Sequence, residues 1–178
     1  MHDMADMAGM PEVSAPPDSA DFNVDDIEYL TMMVAHHRQA LDLAELAPER
    51  ASDDRVLRLA QSIDSTQGRE IIVMATWLVD RGQPEPTPES VAAMTEMSMP
   101  GMLDQGQLDD LAASEGGDFD RRFLEDMIQH HQGAIRMAEQ VLGTGKDVVV
   151  AEMASDVVTL QNAEIRRMRD LLEQLPST

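Results

Sequence analysis

No cysteine occurs among the 178 residues. That excludes disulfides and thiolate metal sites, and it leaves the redox compartment open. Aromatic residues are scarce, at 3%, so a core must be built from Leu, Ile, Val, Ala and Met. Basic residues are few. Thirteen Lys and Arg stand against 34 Asp and Glu, for a formal net charge of −21. Nucleic acids and anionic lipid need a basic surface, so neither is expected as a partner. An acidic surface favours solubility and concentrates cations nearby, although a plain solvated face accounts for such a charge equally well. No apolar run reaches the roughly 20 residues that span a membrane. Walker-type and dinucleotide-type glycine loops are missing, and no nucleophile–base set stands out, so a binding role rather than an enzyme is expected.

The opening stretch, MHDMADMAGMPEVSAPPDSAD, is polar and has no helical period. Residues 1–22 read as a flexible Met- and His-containing tail. They look like the mature end of a trimmed precursor, although a cytosolic protein could start this way too; the secreted or cell-envelope location that is expected rests on other grounds.

What is present is a duplication. Residues 29–78 align with 123–172 at an offset of 94 without a gap, and fifteen of the fifty positions are identical. Met33 meets Met127, and His36-His37 meets His130-His131. Gln67, Glu70, Ile71 and Met74 meet Gln161, Glu164, Ile165 and Met168. Two amphipathic helices alike by chance would not place both His pairs and both Gln-x-x-Glu-Ile-x-x-Met strings in one register.

Each repeat predicts two helices. The first runs from Val24 to about Ala47 behind an Asn23 cap, and Pro48 ends it. The second starts near Ser52 as cap and ends near Asp80. In the second copy a helix runs from about Asp118 to Gly143. Another starts at Thr144, with Asp147 three residues on as in a capping box, and ends near Gln174. Residues 82–117 form a connector with two short helices predicted, one opening at Thr87-Pro88 and one near Gln107–Ser114. Short turns within each hairpin and one long connector between them give an all-α, ferritin-like four-helix bundle over residues 23–176, with repeats 24–81 and 118–175.

At 100° per residue, Leu30, Met33, His37, Leu41 and Ala44 share one face of the first helix, with His36 at its edge. His131 and His130 repeat the arrangement. So His37 and His131 are expected in the core, and His36 and His130 at the seam, nearer any arriving ion. On the second helices Glu70 and Glu164 fall at the centre of the apolar stripe. A carboxylate there is costly unless it is paired or bound to a metal.

Two readings follow for this set. In one, His37, His131, Glu70 and Glu164 form a satisfied hydrogen-bond network. In the other, the His pairs with Met33 and Met127 hold a metal. The glutamates, and Met74 and Met168 one turn beyond them, are further candidates, with core packing the alternative for those two methionines. Core filling does not explain Met94, Met97, Met99 and Met102, which lie in a stretch broken by Pro and Gly. Thioethers and imidazoles together suit Cu(I), with Ag(I) as a mimic, and not hard divalent ions. A ferritin-like di-metal centre remains a third reading, although the Glu-x-x-His strings usual for it are absent here.

The strings MMVAHHRQALDLAE and DMIQHHQGAIRMAE, each followed by Q-x-x-E-I-x-x-M, together with the connector MPGML, resemble the domain-of-unknown-function 305 family over residues 22–175. The resemblance implies a ferritin-like fold, export, and kinship with copper-binding members of the family. It implies Met33, His36, His37, Met127, His130, His131 and the Met-rich connector as candidate ligands.

Overall fold

A computed structural model describes residues 15–17, 20–87, 90 and 99–176. Among these the chain is helical, and strand-type pairing is confined to one bridge, Ala51–Gly116. The elements are α1 (Val24–Glu45), α2 (Ala47–Arg50), α3 (Asp54–Asp80), α4 (Gln105–Ala113), α5 (Gly116–Thr144) and α6 (Val148–Gln174). Hairpin α1/α3 packs against hairpin α5/α6, chiefly along α1 and α5. The architecture is a ferritin-like helical bundle.

Asn23 caps α1 in a capping box. Its Oδ1 accepts from Asp26 N at 3.1 Å, and Asp26 Oδ2 accepts from Asn23 N at 2.8 Å. The other long helices begin differently from the expectation. Asp53, not Ser52, caps α3, and Asp147, not Thr144, caps α6. Thr144 is the last residue of α5. An ionised carboxylate accepts from orphan N–H groups more strongly than a hydroxyl, and the helix dipole favours it at the start.

Ser52 is used elsewhere. Its backbone N–H and hydroxyl donate to Asp120, as does Asp53 N at 2.9 Å. Lys146 N and Asp147 N donate to Asp26 in the same way, at 3.0 and 3.1 Å. Asp26 and Asp120 are fully buried and 94 positions apart. Each duplicated carboxylate therefore ties the inter-helix turn of the other repeat to the start of its own long helix.

In the connector, α4 stands close to the predicted second short helix. Thr87 Oγ1 accepts from Ser90 N at 3.2 Å, as a cap at the first would. Pro88, Glu89 and residues 91–98 lie outside the described residues, and so do residues 1–14.

The apolar interior falls into two clusters. One joins the first half of α1 (Ile27, Leu30, Met33, Val34) to the second halves of α3 and α5 and the first half of α6. The other joins the second half of α1 to the first halves of α3 and α5 and the second half of α6, including Phe119, Phe123 and Met127. Helices α1 and α5 therefore run antiparallel, and the two clusters are exchanged by the duplication. Between them, at the middle of all four long helices, lies a polar layer: His36, His37, His130, His131, Gln67 and Gln161, all buried.

Candidate metal centre

The helical period places the two histidines of each pair on neighbouring but distinct faces, about 100° apart. His37 turns to α3, where its Nε2 meets Glu70 Oε2 at 2.7 Å. His131 turns to α6 and meets Glu164 Oε2, also at 2.7 Å. The two arrangements are copies in geometry as well as in sequence. His36 and His130 meet each other across the α1/α5 contact, ring centroids 3.8 Å apart and planes tilted by 38°.

All four imidazoles have no exposed surface. His36 and His130 lie at the α1/α5 seam but are sealed within it, which corrects the expectation that they stand nearer an arriving ion. A turn of the connector lies over α1 and α5 there. Pro100 O sits 3.0 Å from His36 Nε2, and Gln39 holds Leu103 by both backbone groups, at 3.1 and 2.9 Å. A β-carbon at Gly133 would stand 1.9 Å from Pro100 O, so only glycine lets this turn lie against α5. Gly101, at φ +78°, completes it.

Glu70 and Glu164 also depart from expectation. Their side chains keep 21% and 20% exposure, so they sit at the rim of the stripe rather than its centre. The centre belongs to Gln67 and Ile71 on α3 and to Gln161 and Ile165 on α6. Partial solvation lowers the cost of placing a carboxylate there while each reaches inward to one imidazole.

Hydrogen-bond chemistry fixes the histidines' state. A carbonyl oxygen only accepts, so His36 Nε2 carries the proton it shares with Pro100. A carboxylate likewise takes the Nε2–H of His37 and of His131. Each of these three rings in its neutral form therefore has a bare lone pair on Nδ1, and all three Nδ1 atoms are buried without a partner. His130 has neither nitrogen partnered. Burial pushes the His36 pKa down to about 3, with the neighbouring His37 adding to the effect. It lowers His130 well below the ordinary value, with His36 contributing. Both rings are neutral at pH 7, which keeps their lone pairs available. The amides of Gln67 and Gln161, also buried in this layer, have no partner for either polar atom.

The methionines divide. Met33 and Met74 are buried in the first apolar cluster, on one side of the polar layer. Met127 and Met168 are buried in the second, on the other side. The fold thus makes two half-sets, one in each repeat: Met33, His37, Glu70 and Met74, then Met127, His131, Glu164 and Met168. Met99 is buried and Met102 half-buried, both against the first cluster. Met94 and Met97 lie outside the described residues. Among the described residues, no three His, Asp or Glu side chains converge as a ligand set. This weighs against the carboxylate di-metal reading. It leaves open a mixed imidazole–thioether set, whose donor atoms suit a soft ion.

Sequence reasoning missed Gln39, Pro100, Gly133 and the Asp26/Asp120 pair. The last had a signal: at the offset of 94, Asp26 falls on Asp120, just outside the aligned window.

A helical bundle with a buried His–Gln layer, gripped in each repeat by one rim glutamate, defines the class. The chain belongs to the domain of unknown function family DUF305, whose model matches residues 26–172. It is similar to a DUF305 fragment from Deinococcus radiodurans: 32% identity, 90% of this chain and 100% of that one covered, TM-score 0.77. A DUF305 protein from Streptomyces coelicolor matches at 29% identity over 84% of this chain and 93% of that one, TM-score 0.73. CopM in its Cu(II)-bound form matches at 32% identity over 84% and 96%, TM-score 0.70. CopM is also known in Cu(I)-bound and Ag-bound forms. An uncharacterised protein, L153, of Acanthamoeba polyphaga mimivirus is 33% identical over 55 residues, which is 31% of this chain and 36% of that protein.

Proposed function

We propose that this chain binds copper, Cu(I) in preference, through buried imidazoles and thioethers, and serves copper buffering or resistance in the cell envelope rather than catalysis. The observation that carries the reading is the set of unpartnered Nδ1 atoms on His36, His37 and His131. A buried lone pair without a partner is costly, and a soft cation would satisfy it. In two of the three rings a glutamate grips the opposite nitrogen. That fixes the tautomer and ring orientation and raises the basicity of Nδ1, as carboxylates behind metal-bound histidines do. Met33 and Met74 flank one such pair, and Met127 and Met168 the other. The likeness to CopM, solved with Cu(II), Cu(I) and silver, supports the metal class. The export reading draws on the Streptomyces coelicolor relative, whose name marks it as a candidate secreted protein. No described helix is long and apolar enough to cross a membrane.

The test is competition for Cu(I) against a chelator of known affinity. Binding at micromolar levels or tighter is expected. His37→Ala combined with His131→Ala should abolish the tight component while far-UV circular dichroism stays helical. No binding by the unaltered protein would overturn the reading.

A second reading has one observation in its favour. The two 2.7 Å His–Glu bonds already satisfy part of the layer, as a purely structural network would. Under it, copper and silver leave the thermal midpoint unchanged.

A further inference from the structure

Helices α3 and α6 do not close tightly on each other. A cavity of about 250 Å³ opens between them, lined in part by Glu70, Met74, Met153, Asp156 and Arg69. Two thioethers and two carboxylates thus face one space. The Arg69 guanidinium is engaged by Ser65 on its own helix, at 2.8 Å. One guanidinium against two carboxylates leaves the cavity formally negative. Glu70 is the same residue that grips His37, so the cavity abuts the buried histidine layer through a single side chain.

The duplication provides an internal control. His37–Glu70 and His131–Glu164 match in distance and in exposure. The surroundings of the two glutamates do not match. At the offset of 94, Leu59 takes the place of Met153, Ser62 that of Asp156, and Arg167 that of Val73. The second copy loses a thioether and a carboxylate and keeps one guanidinium, because Ala163 stands where Arg69 does and Arg167 where Val73 does. A role common to both repeats explains the shared His–Glu pair. It does not explain why only the first pair has a second thioether and a second carboxylate beside it.

We propose that the α3/α6 cavity beside Glu70 is a docking site for a soft monovalent cation, held by Met74 and Met153 with Glu70 and Asp156 supplying the counter-charge, and that only the first His–Glu pair borders such a site. Thioethers select a polarisable d10 ion over Na⁺, K⁺ or Mg²⁺, and the carboxylates raise its local concentration. The inference rests on the copper reading for the identity of the ion and adds where the ion first lands. The two His–Glu pairs then differ in role, the first lying beside the point of arrival.

The experiment is titration of the full chain with Ag(I), which avoids redox chemistry. NMR follows methionine ¹³C-methyl groups and histidine ¹⁵N nuclei together. The Met153 and Met74 methyls should shift below one equivalent, and Met153→Leu should weaken that phase by about tenfold or more. Leucine keeps the volume, so the variant should fold. If the histidine nitrogens shift while the Met153 methyl does not, the docking site is wrong and the copper reading stands. If Met153 shifts but Met153→Leu leaves the phase unchanged, the shift is propagated and the docking site is again wrong. If nothing shifts, both fall.

Discussion

Gln39 and Gly133 occupy the same register position in the two repeats and hold the same connector turn from opposite sides. Gln39 binds both backbone groups of Leu103. Gly133, by lacking a side chain, lets Pro100 and Gly101 rest on α5. A duplicated bundle has two equivalent seams but a single connector, so one position had to diverge into a clamp and a bare surface. The turn they hold seals His36 and His130 from water.

Gly133→Ala should therefore unseat the turn. A β-carbon 1.9 Å from a carbonyl oxygen cannot be absorbed by a rotamer change. Thermal or urea unfolding should show a loss of about 1–3 kcal/mol. Gly143→Ala on the same helix meets nothing within 4 Å. It should be neutral or stabilising by up to about 1 kcal/mol, the ordinary helix-propensity gain. Equal effects from the two variants would argue against the close approach.

Asp26→Ala and Asp120→Ala each remove a fully buried acceptor from backbone N–H groups at opposite ends of the bundle. Each should cost about 1–3 kcal/mol in chemical denaturation. The sites share no partner, so the double variant should equal the sum within about 0.5 kcal/mol. A strongly sub-additive result would mean that the two ends unfold together before the core.

Glu70→Gln tests the grip on His37. The amide oxygen still accepts from Nε2–H, so the fold should survive, but the charge that raises Nδ1 basicity is gone. Cu(I) affinity should fall by about 10- to 100-fold. An unchanged affinity in a competition titration would place the tight site away from His37.

Stability should also depend on pH through His36 and His130. Both pKa values are lowered in the fold, that of His36 to about 3, mainly because burial disfavours the charged ring. In the unfolded chain they return to about 6.5, so the unfolded state binds more protons below that pH. Their contribution is thus complete above about 6.5 and lost progressively as pH falls toward 3. Asp126 acts in the opposite sense, because burial first, then Glu125, raises its pKa to about 6. Asp42, its pKa also raised chiefly by burial, acts with Asp126, so urea midpoints between pH 7.5 and 4.5 in an Asp42→Asn, Asp126→Asn background should isolate the histidine effect. A midpoint that rises on acidification would contradict the burial of these rings.

The helical wheel gives the angle between two side chains on one helix. It does not give the number of neighbours that the helix will have. It therefore separated His36 from His37 correctly and put His37 and His131 in the core. It left His36 and His130 open to an arriving ion because it could not include the opposing helix and the connector turn, which close over them. The same limit put Glu70 and Glu164 too deep. Their stripe is centred on Gln67 and Ile71, and on Gln161 and Ile165, once both adjoining helices are counted.

By itself, the sequence determined the duplication, the helical hairpins, their antiparallel pairing and the two central His pairs. These depend on local period and on register along the chain. Only the tertiary structure decided which imidazole nitrogens lack a partner, that the methionines split into two half-sets, and that one His–Glu pair borders a thioether-lined cavity. Those relations join residues from 33 positions apart (His37 and Glu70) to 94 (His36 and His130). They are set by how helices approach one another, which no single helix encodes.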